Sequence, residues 1–216
     1  MISRLLFIMA LSVHLAAGAQ TSTTAQPKVA LWGARAVLLS TGSTARGAAS
    51  PDGLKVPSVR DSHLSIRMSG KAVNSDPTPI PINNLAELLW SPGSNGFAIT
   101  DSDGGLVGTW SVRLYVTTGG RLREVQVTDR VRSDFQTRTG GCRDEVPNVG
   151  AVGWLNPDRL LVVAEAPPHS SCRDMGTFRG YELSVRSGQP LRTFDAHALR
   201  TCCAALLGPR FNEGVR

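Results

Sequence analysis

The densest group of chemically capable side chains lies in residues 167–178, PPHSSCRDMGTF. His169 is a base, Ser171 a nucleophile and Asp174 an orienting acid, the three residue types a hydrolase combines. His169, Ser170, Cys172 and Asp174 also offer the nitrogen, sulfur and oxygen donors that hold metal ions. Either chemistry needs these atoms within hydrogen-bond or coordination reach of one another, which closeness in sequence does not supply. The chain has no G-x-S-x-G elbow, no H-E-x-x-H and no C-x-x-C pair. The stretch therefore reads first as a loop pinned by a disulfide. A hydrolase built on His169, Ser171 and Asp174, or a metal site in the same loop, is the alternative, and no cofactor is implied.

The chain has four cysteines, Cys142, Cys172, Cys202 and Cys203. An even number in an exported chain reads as disulfides. A hairpin over residues 149–166 would bring Cys142 and Cys172 to the same end, so they are the expected pair, closing a loop of about thirty residues and adding roughly 3–4 kcal/mol. Cys202 and Cys203 fall inside an expected helix, where neighbours resist bonding each other because a disulfide prefers more widely spaced Cα atoms. Asp101, Asp103 and Gly104 resemble the start of a calcium loop, but the distal glutamate is missing, and a hairpin turn is the better reading.

The elements that would carry these residues are strands. Residues 87–127 alternate apolar and polar positions between turn residues: strands at Leu88 to Trp90, at Phe97 to Thr100, from Trp110 to Val116, and a last one through Leu122 and Val125. In the third of these strands, Trp110, Val112, Leu114 and Val116 alternate with Ser111, Arg113 and Tyr115. The punctuation recurs at residues 50–73, where Ser50, Pro51, Asp52 and Gly53 suit a type I turn and Leu64, Ile66 and Met68 alternate. It recurs again at residues 149–194, where Trp154 and Pro157 correspond to Trp90 and Pro92. The two tryptophans read as packing residues, with an exposed platform for a glycan or peptide as the lesser alternative. Two short strands are expected at residues 29–32 and 36–39, and a helix over about 196–207 capped by Asp195.

The Ser50 to Gly53 turn, with its partial copies at Trp90 to Pro92 and Trp154 to Asp158, resembles the W-S-P-D-G turn of PD40 or TolB-like (WD40-like) repeats. That resemblance implies an exported β-propeller-like protein. The fold class expected is all-β, with about three propeller-like antiparallel meander blades and a short C-terminal helix. Propellers usually close with four to eight blades, so the ring here would be incomplete or irregular.

Residues 1–19 set Arg4 before an apolar run and end on small residues. This is the layout of a signal peptide cleaved after Ala19, leaving residues 20–216 as a single domain, periplasmic or secreted. No apolar run reaches the length of a membrane span. The formal charge of +6 comes from scattered arginines. Its densest group, Arg121, Arg123, Arg130, Arg132 and Arg138, is interrupted by Glu124, Asp129 and Asp134, which marks a solvated face and argues against nucleic acid as a partner. The functional expectation is a non-enzymatic binding module for another protein or an envelope component. An incomplete ring would also expose strand edges through which copies could associate as a homo-oligomer.

Overall fold

Strand-forming alternation and frequent turn residues leave the chain one economical way to bury its apolar side chains, as short antiparallel sheets stacked face to face. The computed structural model describes residues 31–39, 48–68, 71–72, 79–118, 121–139 and 145–212. The expected signal peptide and Cys142 lie outside these residues, as do the turns at Gly70 and at Gly119 and Gly120.

The described strands form three sheets, and every strand pairing is antiparallel. The first holds β2 (Lys55–Arg60), β3 (His63–Met68), β4 (Lys71–Ala72) and β5 (Ile80–Pro81). Pro57 sits in β2, which pairs with β3 alone, so its missing N–H removes no ladder bond from the sheet interior. The second sheet runs β1 (Val37–Leu39), β6 (Leu85–Trp90), β7 (Gly96–Ser102), β8 (Trp110–Thr118) and β9 (Arg121–Gln126). The third is a plain meander of β10 (Asn148–Asn156), β11 (Arg159–Glu165), β12 (Phe178–Ser184) and β13 (Pro190–Phe194). The protein is thus all-β with little helix, as its patterning implies.

The second sheet is covered on both sides. Leu88, Phe97, Ile99 and Tyr115 pack with Leu64, Ile66 and Ile80 of the first sheet. Ala98, Val112 and Leu114 pack with Ala151, Leu160, Val162 and Tyr181 of the third. Tyr115 is fully buried on this face and donates its hydroxyl to Glu124 Oε2 at 2.9 Å. A bulge between Ala151 and Gly153 in β10 shifts the alternation, so Trp154 joins Val149 and Ala151 on one face while Val152 turns to the other.

The other face of the third sheet is closed by residues near both ends of the described chain. Trp32 and Trp110 meet edge to face with centroids 5.9 Å apart, and Phe211 meets Trp32 at 5.6 Å. Gly150 is required there, because a Cβ would lie 1.9 Å from the Trp32 ring. Of the expected N-terminal strands, the second is present as β1. Leu31 and Trp32 of the first are not in a strand, and Gly33 makes a single bridge to Leu207.

Three helices complete the described fold: α1 (Thr128–Thr139), α2 (Ala196–Cys203) and α3 (Pro209–Asn212). Asp195 caps α2 by accepting from Ala198 N at 2.8 Å. The helix ends sooner than expected, and a 3₁₀ turn, Ala204–Leu206, follows. That break explains a second correction. Cys202 and Cys203 are bonded to each other, because Cys203 leaves helical geometry (φ −136°, ψ 18°) and its side chain is released from the helix direction. Helix α1 has no counterpart in the sequence reading. It links the second and third sheets and buries only Val131 and Phe135. Arg132 is not a solvated charge: it donates to Pro147 O at 3.0 Å and Trp110 O at 2.9 Å, and burial lowers its pKa. No helix among the described residues is long and apolar enough to cross a membrane.

Candidate functional site

The related turns at the head of each sheet meet around one hollow. The first sheet contributes Ala49 and Pro51, the second Val37, Leu89, Trp90 and Pro92, and the third Val152, Gly153 and Trp154. Arg35 and Leu206 close the wall, and the volume is about 430 Å³.

Hydrogen bonds fix these turns. Gly53 N donates to Ser50 O at 2.7 Å, and Gly53 takes φ +70°, the left-handed region that glycine enters without strain. The Asp52 carboxylate is drawn down to about 2, chiefly by the Ser50 hydroxyl that donates to it and also by Leu54 N–H and Lys55. Asp52 N donates to Ser94 Oγ at 3.0 Å, which docks the first sheet's turn on the second's. Within the second turn, Ser91 Oγ donates to Asn95 Oδ1 at 2.8 Å and accepts from Gly96 N at 3.0 Å. The third turn closes with Asp158 N donating to Asn156 Oδ1 at 2.9 Å.

Of the two tryptophans, Trp90 is held by a hydrogen bond and a ring contact. Trp90 Nε1 donates to Ala48 O at 2.6 Å, and its ring stands edge-on to Phe97 at 5.1 Å. Trp154 is 9% exposed. Leu206 is placed by packing over Gly153, where a Cβ would come within 2.8 Å of it. The pocket wall is therefore apolar and aromatic, with Arg35 as its one charged side chain. Arg35 is exposed and has no ion pair among the described residues.

The loop singled out for chemistry is arranged differently. His169 and Ser171 are exposed, and Ser171 N donates to Glu145 Oε1 at 3.2 Å. Ser170 is buried, and its Oγ lies 3.4 Å from Cys172 N. Asp174 turns toward a separate hollow of about 300 Å³ with Phe135, Arg138, Thr139, Arg179 and Asp195, and its carboxylate oxygens are buried without a hydrogen-bond partner. No hydrogen bond joins His169, Ser171 and Asp174 among the described residues. The expected Cys142–Cys172 pair involves Cys142, outside those residues.

Asp101 and Asp103 are committed to the fold. Asp101 Oδ2 accepts from Asn83 N and Arg113 Nη2, each at 3.0 Å, and Asp103 Oδ1 accepts from Thr109 N at 2.7 Å. Among the described residues, no three of His, Cys, Asp and Glu are grouped to hold a metal ion.

Sequence reasoning paired Trp90 with Trp154 but did not find the cavity they share. Arg35, Ala49 and Leu206 reach it from distant parts of the chain and carry no local pattern that would mark them. Comparison with known proteins found no matching family model, no matching curated protein and no matching solved structure.

Proposed function

We propose that this protein is an exported, non-enzymatic binding module whose ligand sits in the hollow where the three sheets meet. The observation that carries this reading is the convergence of Pro51, Pro92, Trp90 and Trp154 on one largely apolar cavity. Small-molecule and side-chain pockets have this character: roughly 300–1,000 Å³, largely apolar, with few polar groups. The likeness of the turns to TolB-like repeats supports treating the sheets as propeller-like blades, and export follows from the signal-peptide layout of residues 1–19. His169 and Ser171 are exposed and Asp174 lines a different hollow from the one proposed, which favours the binding reading over a hydrolase.

The test is capture from an envelope extract by the immobilised protein, compared with an Ala49→Phe variant that fills the cavity. Ala49 is partly exposed and outside the core clusters. The expected result is a component retained by the native protein and lost from a variant of unchanged far-UV circular dichroism. Equal retention by both would contradict the assignment of the pocket.

A further inference from the structure

Resting on that reading, we infer that the pocket takes a flat apolar anion, an aromatic or polycyclic carboxylate, with its rings between Trp90 and Trp154 and its charge toward Arg35. Two indoles and two proline rings line the pocket, Trp154 with only a small part of its surface exposed, and such stiff apolar groups cost little entropy to order on binding. Such groups alone would suit a neutral arene or, through the ring quadrupoles, a quaternary ammonium ion.

The charge at the rim decides between them. Arg35 is the sole ionised side chain of the lining, and no acidic residue accompanies it. A cationic ligand would meet the Arg35 guanidinium and no acidic side chain in the lining. An anion would meet a planar five-donor fork that matches a carboxylate in two parallel hydrogen bonds. Because Arg35 makes no ion pair among the described residues, the ligand need not displace an internal partner to reach it. The volume of about 430 Å³ fits two or three fused rings and is too small for a folded domain or a helix.

Isothermal titration of the purified full chain with 2-naphthoate and with its uncharged amide, 2-naphthamide, tests the inference. The carboxylate should bind at least about tenfold more tightly at low salt, in line with the worth of a charge-assisted pair, and the preference should shrink as salt rises. Arg35→Gln should abolish the preference while leaving amide binding in place. Equal affinity for the two probes, or a preference that survives Arg35→Gln, overturns the anion assignment and leaves the pocket standing. If neither probe binds, or Ala49→Phe leaves both affinities unchanged, the pocket reading falls with it.

Discussion

Glu87 is the residue whose chemistry is most altered by the fold. It lies in β6 at 1% exposure, and its carboxylate oxygens accept from Trp32 N at 3.1 and 3.3 Å. Burial pushes its pKa up to about 8, against the downward pull of that hydrogen bond and of Arg210. The unfolded chain gives up this proton near 4.5, whereas the folded chain holds it to about 8. Glu87 therefore favours the fold fully below pH 4.5, and its contribution declines as pH rises from about 4.5 to 8. A shift of this size corresponds to at most about 5 kcal/mol. Glu87→Gln keeps an acceptor for Trp32 N–H and removes the titration. Urea unfolding at pH 5 and pH 8 should show the native protein losing several kcal/mol relative to the variant. Parallel pH dependence would contradict the buried, protonated carboxyl.

At the scale of elements, the strands were legible because alternation and turn chemistry are local. Leu64 and Ile66, or Leu160 and Val162, announce their strands without reference to the rest of the chain. The burial of Tyr115 was not legible, because a sheet covered on both faces needs no polar side and nothing in β8 itself reports what lies across from it. Helix α1 escaped because two apolar residues four apart, Val131 and Phe135, are too few to stand out among ten polar or charged neighbours. Helix α2 was legible through its cap. Asp195→Ala should cost about 1 kcal/mol in chemical denaturation, and Asp195→Asn should recover most of it, since both Asp and Asn cap well. A loss of equal size in both variants would place the contribution of Asp195 elsewhere, in its neighbours Arg138 and Arg179 across the small hollow. The Cys202–Cys203 bond was missed for a related reason: the helix was carried on through Cys203, past the point where the backbone turns away.

At the scale of the whole molecule, segments near both ends of the described residues lock the sheets together. Arg210 of α3 forks onto Glu165 of β11, with Nε–Oε2 at 3.0 Å and Nη2–Oε1 at 2.5 Å. Its guanidinium lies over Trp32 at 4.5 Å and over Trp110 of β8 at 5.6 Å. This one side chain thus touches the second sheet, the third sheet and both ends of the described chain. Removing it strands a carboxylate with little access to water. Arg210→Met should cost about 3–5 kcal/mol, while Arg210→Met with Glu165→Met should recover most of that, because an apolar pair of similar volume replaces buried charges at little net cost. Additive losses in the double mutant would show that the pair's role lies in packing alone.

The candidate pocket also belongs to this largest scale, since all three sheets contribute to its wall along with Arg35 and Leu206, and this is why sequence showed two of its tryptophans and not the cavity. The four tryptophans of the chain divide evenly between two settings. Trp90 and Trp154 line the pocket, and Trp32 and Trp110 are fully buried in the cluster behind the third sheet. Indole N–H resonances in a ¹H–¹⁵N spectrum, followed as 2-naphthoate is added, report on all four at once. The Trp90 and Trp154 signals should move in a saturable way while those of Trp32 and Trp110 stay in place. Movement of Trp32 and Trp110 instead, or no movement of any of the four, would contradict a ligand site between the sheets.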